Sequence, residues 1–332
     1  LHPRVRRQRQ MCIRDSMRDI KNVLICGLGA IGSIYADKIQ AFEPDALRIL
    51  VDEERLKRYS ENPVIFNGKE LNLNYVLPQD NDFKADLVII ATKYDGLSEV
   101  IDNMENFVGK DTVILALLNG VTSEKIIAEK YGRDKLLYSY FIGHSAIRTG
   151  RNVTHDNVNT IVYGSENSDD FENVRRVKEY FERAGINYKI PEDIIHSLWL
   201  KYMLNVSANQ TTAILRLTFG EMLSNDKCMD FAINIMKEVQ SVAKAEGVRN
   251  TDIMIEETVE HLHTMIPEGK TSMLQDVEAG RKTEVDMFAG TVIRLGIKHG
   301  IATPYNKIIK EMIEIIHKNQ ELKLKAQTPA VV

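Results

Sequence analysis

The sequence predicts an α/β half followed by an all-α half, and three observations carry that prediction. A glycine-rich turn, Gly27-Leu28-Gly29-Ala30-Ile31-Gly32, sits between a short apolar run and a helical pattern. Apolar strands then alternate with amphipathic helices as far as residue 190. Beyond Pro191 no convincing strand appears, and glycines and prolines punctuate helical periodicity alone.

The glycine turn comes first. Val23-Leu24-Ile25 reads as a buried strand, and Ile34, Ile39 and Phe42 set a helical period after the turn. G-x-G-x-x-G between strand and helix is the fingerprint of a Rossmann-type dinucleotide-binding domain. Gly27 permits the tight turn, Gly29 lets the backbone approach a pyrophosphate, and Gly32 lets the helix lie close on the strand. The free N–H groups at the helix start then face the anion. Leu28, Ala30 and Ile31 complete the candidate cofactor-binding turn.

Ala46–Val51 is the second strand. It ends at Asp52, with Arg55 one turn on. An acid at this place accepts hydrogen bonds from a free ribose 2′-hydroxyl and favours NAD, whereas an arginine favours the 2′-phosphate of NADP. Both are present, and Arg55 reads equally as a solvated helix residue. Val64–Val76 alternates around Asn67-Gly68, a hairpin signal. Ala85–Thr92 is a continuous apolar strand ending at Lys93, which reads either as a cofactor contact or as a solvent lysine. Thr112–Leu118 is another, closing in Asn119-Gly120. Asn119 is placed for a nicotinamide ribose or a substrate oxygen, or is a turn residue before glycine. Thr122 or Ser123 can cap the helix that follows. Leu136–His144 and Asn159–Gly164 read as strands flanking a polar turn, Phe171–Ala184 as a helix and Ile186–Ile190 as a last strand.

In the second half, Pro191 suits a first helical turn, with Glu192 and Asp193 at its positive end. Helices are expected at about 192–216, 224–246, 252–265, 272–280, 285–299 and 304–318. The domains are therefore drawn at 17–190 and 191–325, with a tail at 326–332. Residues 1–16 carry five arginines against one aspartate and have no apolar core. They read as a non-native leader, with Met17 as the start.

Two stretches look chemical. Lys201, Asn205 and Asn209 fall at i, i+4 and i+8, on one helix face. Leu198, Trp199, Leu200, Met203 and Leu204 surround them. Apolar surroundings lower a lysine's pKa, so that it can deliver a proton near neutrality. A solvent-facing polar stripe is the competing reading, though two mid-helix asparagines weigh against it. In Thr271–Asp286, Ser272 can cap one short helix. Thr283 can cap the next, with Asp286 as partner and Glu284 in its first turn. Capping accounts for Ser272, Thr283 and Glu284 without function; the functional reading has Ser272 and Glu284 hold a substrate.

Taken in order, GLGAIG, Lys93 after ADLVIIAT, Asn119-Gly120 after VILALL, WLKYMLNVSANQ and SMLQDVEAGRKTEVD resemble the ketopantoate reductase family over about residues 20–318. The resemblance implies NADPH-dependent reduction of 2-dehydropantoate to pantoate, a step toward pantothenate and coenzyme A. It implies Lys201 as proton donor to the carbonyl oxygen and Glu284 as the second catalytic or substrate-orienting group, in a cleft between the domains. It implies Asn205, Asn209 and Ser272 as substrate-binding residues, and Asn119 and Lys93 as contacts to cofactor and substrate. Glu284 also counts among the cofactor-binding candidates. One position departs from the family pattern: the arginine expected to meet the 2′-phosphate is Asp52, with Arg55 the nearby substitute. NADH use is therefore open beside NADPH. Competing readings are a reductase of another 2-keto acid and a non-catalytic dinucleotide-sensing module.

Composition bounds the partners. The chain has 332 residues, 44% hydrophobic and 27% charged, with a formal net charge of -4. That balance gives no field for nucleic acid or a membrane surface. Apolar runs such as Leu87–Ala91 and Val113–Leu118 are too short to span a bilayer. Cys12, Cys26 and Cys228 fit neither a zinc site nor a disulfide framework, which makes a reducing cytoplasm the natural setting. His261 and His263, at i, i+2, do not share a helix face, so no metal is expected. The expected partner is a small keto acid, and a homodimer is compatible with the sequence.

Overall fold

A computed structural model describes residues 19–143, 147–155, 159–166 and 171–327. The expected leader, His144 at a strand end and the last five residues of the tail lie outside these described residues. Packing divides the chain into two units. One runs to Leu118 and resumes over Thr122–Ile194; the other joins Asn119–Val121 to the chain from Ile195 onward.

The first unit is built on twelve strands. They are β1 (Val23–Cys26), β2 (Leu47–Leu50), β3 (Ile65–Phe66), β4 (Lys69–Glu70), β5 (Tyr75–Val76) and β6 (Ala85–Ile90). After these come β7 (Val108–Ala116), β8 (Leu136–Ile142), β9 (Ile147–Thr149), β10 (Asn152–Thr154), β11 (Thr160–Gly164) and β12 (Tyr188–Lys189). Eight of them form one sheet in the order β12-β11-β8-β7-β6-β1-β2-β5, parallel except where β11 meets β8. The helices are α1 (Ala30–Phe42), α2 (Glu53–Glu61), α3 (Leu97–Asn103), α4 (Ser123–Tyr131) and α5 (Phe171–Arg183).

Side chains alternate across a strand, and here both faces are covered. Val23 and Ile25 of β1 join Ile34, Tyr35 and Ile39 of α1 and Phe181 of α5 in one buried cluster. Leu24 and Cys26 join Leu97 and Ile101 of α3 and Ile127 of α4 in the other. This is why the central strands read as unbroken apolar runs. Burial raises the Cys26 thiol well above its usual range.

The Asn67-Gly68 hairpin forms as expected, with both residues at positive φ (47° and 82°). The region expected to be a plain turn between β8 and β11 instead contains the β9–β10 hairpin. β10 pairs with β3, completing a four-stranded sheet, β4-β3-β10-β9. Short polar strands with partners distant in sequence leave no apolar period to detect.

The described residues of the second unit form helices and their connecting loops, with no strand. It comprises α6 (Ile194–Leu204), a π-helical segment (Asn205–Asn209), α7 (Gln210–Leu215), α8 (Phe219–Leu223), α9 (Asp226–Ala245), α10 (Met254–His263), α11 (Ser272–Glu278), α12 (Ala289–His299) and α13 (Pro304–Gln327). α9 buries Ala232, Ile235, Met236, Val239, Val242 and Ala243. Its Glu238 accepts from the backbone N–H groups of Tyr305 (2.8 Å) and Asn306 (3.0 Å), satisfying the start of α13. No helix among the described residues is long and apolar enough to cross a membrane.

Several expectations for this unit are corrected. The first helix begins at Ile194, where burial begins, so Pro191, Glu192 and Asp193 precede it. The single helix expected to 216 is interrupted by the π segment. The cap of α11 is Thr271, which accepts from Leu274 N at 3.2 Å, rather than Ser272. The helix expected from 285 begins at Ala289. The Glu284 carbonyl already accepts from both Met287 N and Phe288 N at 3.0 Å, forming a tight turn. Thr283 therefore does not cap a helix, and its hydroxyl is buried with no hydrogen-bond partner among the described residues. α13 also runs nine residues past the expected end at 318.

Candidate functional site

The glycine turn of the first unit shows why each glycine is there. Gly27 lies at φ +101°, and a Cβ on it would stand 2.7 Å from the Ala91 carbonyl oxygen. A Cβ on Gly32 would stand 1.9 Å from the Gly27 carbonyl oxygen, which forbids any side chain while α1 sits on the turn. Gly29 differs: its Cβ would meet nothing nearer than Ala91 O at 3.9 Å. The protein's own packing tolerates a side chain there, so the open space over Gly29 fits a group that comes from outside. The first intrahelical bond is Ser33 N to Gly29 O, at 3.0 Å. The N–H groups just before it are therefore without helical partners and fit an anion.

At the end of β2, Asp52 caps α2. Its Oδ1 accepts from Arg55 N at 2.6 Å, and its Oδ2 pairs with the Arg55 guanidinium. The two candidates for reading the cofactor ribose thus neutralise each other. Lys93 is exposed and opens a short 3₁₀ turn, Tyr94–Gly96. Thr122 is the residue before α4 but makes no side-chain capping bond. Ser123 instead donates to Glu124 at 2.9 Å.

The second unit brings four sequence-predicted residues into one line. Asn209 Nδ2 donates to Asn205 Oδ1 (3.3 Å), and Asn205 Nδ2 donates to Asn119 Oδ1 (3.4 Å). Asn119 Nδ2 donates to Glu284 Oε2 at 2.9 Å. All three amides point their donors toward the carboxylate. Asn205 and Asn209 are buried, while Asn119 and Glu284 are half-buried, so the line runs from the helical core toward solvent. Buried amides need such partners, and the chain of bonds fixes the Glu284 carboxylate.

The π segment carries this line. Ser207 Oγ bonds back to Met203 O (2.7 Å) and Gln210 Nε2 to Val206 O (2.6 Å). Gln210 Oε1 also accepts from Ala289 N at 3.2 Å, tying the segment to the start of α12. Isolated π turns are costly and recur at functional sites. Sequence reasoning missed both this segment and Gln210. The run of Asn, Ser, Asn, Gln and Thr inside an apolar helix was the available signal.

Lys201 lies one turn before Asn205 on α6, between the buried Leu198, Trp199, Tyr202 and Met203. Tyr202 is held in turn by donating to Phe288 O at 2.7 Å. Part of the Lys201 residue remains solvent-accessible. Protein packed around its side chain nevertheless removes enough water to pull its pKa from 10.5 to about 8. Among the described residues its ammonium makes no hydrogen bond or ion pair. Ser272 is exposed on α11 and is not part of the amide line.

Two family models match this chain. Residues 23–168 match the model described as ketopantoate reductase PanE/ApbA, and residues 193–317 match its C-terminal counterpart. A 2-dehydropantoate 2-reductase from Streptococcus pyogenes serotype M1 is 26% identical over 295 residues, covering 88% of this chain and 96% of its own. Among solved structures, D-mandelate dehydrogenase with NADH and anilino(oxo)acetate superposes with a TM-score of 0.79 at 22% identity, over 90% of this chain and 99% of that one. A dimeric ketopantoate reductase from Staphylococcus aureus superposes with a TM-score of 0.70 at 20% identity, with 90% and 99% covered.

Proposed function

The chain belongs to the ketopantoate reductase family, an oxidoreductase family, and on that premise we propose that it reduces 2-dehydropantoate to pantoate with NADPH. The observation that carries this reading is Lys201, an ammonium of pKa about 8 one helical turn before the amide line that ends on Glu284. The nicotinamide cofactor supplies a hydride to the keto carbon when bound. Gly27–Gly32 hold its pyrophosphate, with Asp52, Arg55 and Lys93 as the further candidates for its adenosine half and linker.

As negative charge builds on the keto oxygen, the Lys201 ammonium donates a proton to it. A cation aimed at that oxygen stabilises the transition state more than the ground state. A pKa about 8 keeps Lys201 mostly protonated at neutrality and still ready to release the proton. Glu284, fixed by Asn119, accepts from the substrate hydroxyl. Asn205 and Asn209 orient the amide line, and Ser272 is a candidate for the carboxylate end.

A second reading has support of its own. Asp52 stands where an arginine would meet a 2′-phosphate, and a fold neighbour is described with NADH and anilino(oxo)acetate. An NADH-dependent reductase of another 2-keto acid satisfies both. As a partner we propose a second copy of the chain. Ile308, Met312, Ile315 and Leu322 form an exposed apolar stripe along α13 at spacings of four, three and seven, and the Staphylococcus neighbour is described as dimeric.

Cofactor oxidation with 2-dehydropantoate, run in parallel with NADPH and NADH against a panel of 2-keto acids, tests the assignment. Turnover of 2-dehydropantoate above all others is expected. Preference for another keto acid moves the assignment to the second reading. Binding of cofactor without oxidation by any keto acid leaves a dinucleotide sensor.

A further inference from the structure

The hairpin that sequence reading missed brings a charge to the glycine turn. Arg148 lies on β9, which pairs with β10 and so belongs to the four-stranded sheet. One of its Nη atoms donates to the carbonyl oxygen of Leu28, the residue before Gly29. Its Nε donates to Gly150 O at 3.0 Å, and its guanidinium carbon stands 6.0 Å from the centre of the Tyr59 ring on α2.

Both acceptors are main-chain carbonyls. Among the described residues no carboxylate pairs with Arg148, so its positive charge is not neutralised by a side chain. A guanidinium has five N–H donors, of which these bonds use two. Three donors remain in a rigid planar fork, the geometry that suits phosphate oxygens. Arg55 differs in charge: its guanidinium is paired with the Asp52 carboxylate, which also accepts from its backbone N–H.

We propose that Arg148 contacts a phosphate of the dinucleotide, supplying from the β9–β10 hairpin the positive charge that the end of β2 lacks. The proposal rests on the dinucleotide reading of the glycine turn. It names a binding residue more than a hundred positions from that turn, on an element outside the βαβ fingerprint.

The test is calorimetric titration of the full chain with NADPH and with NADH, comparing wild type, Arg148→Ala and Arg148→Gln. Loss of a charged hydrogen bond should weaken binding about 10- to 100-fold. Equal loss with both cofactors places the contact on the pyrophosphate, and loss with NADPH alone places it on the 2′-phosphate; either supports the proposal. Glutamine keeps a donor for the Leu28 carbonyl but carries no charge, so Arg148→Gln should lose affinity as well. Wild-type affinity in Arg148→Gln, or in an Arg148→Ala protein with an unchanged circular dichroism spectrum, overturns the proposal. If alanine does not fold, Arg148→Gln decides alone. Wild type that binds neither cofactor overturns the dinucleotide reading itself, an outcome distinct from tight wild-type binding unaffected by Arg148.

Discussion

Replacing Lys201 with methionine should stabilise the protein while removing most of its turnover. Burial lowers the ammonium from 10.5 to about 8, with desolvation as the cause. At about 1.4 kcal/mol per pH unit, that corresponds to roughly 3 kcal/mol of folding free energy at neutral pH. Because Lys201 is partly solvent-accessible, screening reduces the figure, and about 1–2 kcal/mol is the expected gain. Below pH 8 the lysine is charged in both the folded and the unfolded chain, so the full cost applies. Between pH 8 and 10.5 the folded chain releases its proton first, and the cost shrinks; above 10.5 it is gone. The stability advantage of Lys201→Met should therefore be largest at neutrality and fade as the pH climbs through that window.

Turnover should move the other way. Losing a cationic donor at a developing oxyanion costs about 10²–10³ in kcat. In wild type, kcat should fall about tenfold per pH unit above 8, and Lys201→Met should lack that limb. Thermal melts and steady-state rates across roughly pH 6 to 10 measure both effects. A variant that keeps near-normal kcat, or keeps the alkaline limb, refutes the proton-donor role. A variant less stable than wild type refutes the desolvation argument.

Other outcomes follow from single contacts. Gly29→Ala should fold normally but lose cofactor affinity, since its Cβ has room in the protein. Gly32→Ala should lose both, with a Cβ 1.9 Å from Gly27 O; equal melting temperatures for the two would contradict this. Glu124 is buried and its carboxyl is pushed up to about 7, chiefly by desolvation, partly offset by its backbone and Ser123 hydrogen bonds. Its contribution is intact below pH 4.5 and is lost as the pH rises to about 7, roughly 3 kcal/mol in all. Urea titrations of Glu124→Gln should show that pH dependence flattened. Thr271→Ala should cost about 1 kcal/mol by removing the cap of α11, whereas Ser272→Ala should leave the melting temperature unchanged.

The sequence by itself determined the two-part architecture, the glycine turn and the four residues of the amide line, though not that they bond to one another. Burial on both sheet faces turns β1, β6 and β7 into apolar runs, and a helix period repeats often enough to be counted. Lys201, Asn205 and Asn209 were legible because spacing along one helix is local information. Tertiary structure decided what depends on partners far along the chain. The π segment is tied through Gln210 to Ala289, 79 positions on, whereas the Thr271 cap and the Glu284 turn are local bonds that moved two helix starts from where propensity placed them. The β9–β10 hairpin is set by pairing with β3 about ninety residues earlier. Asn119 meets Glu284 across 165 positions, and Arg148 meets Leu28 across 120. Hydrogen bonds over such separations leave no period in the sequence, because their geometry exists only once the chain has closed on itself.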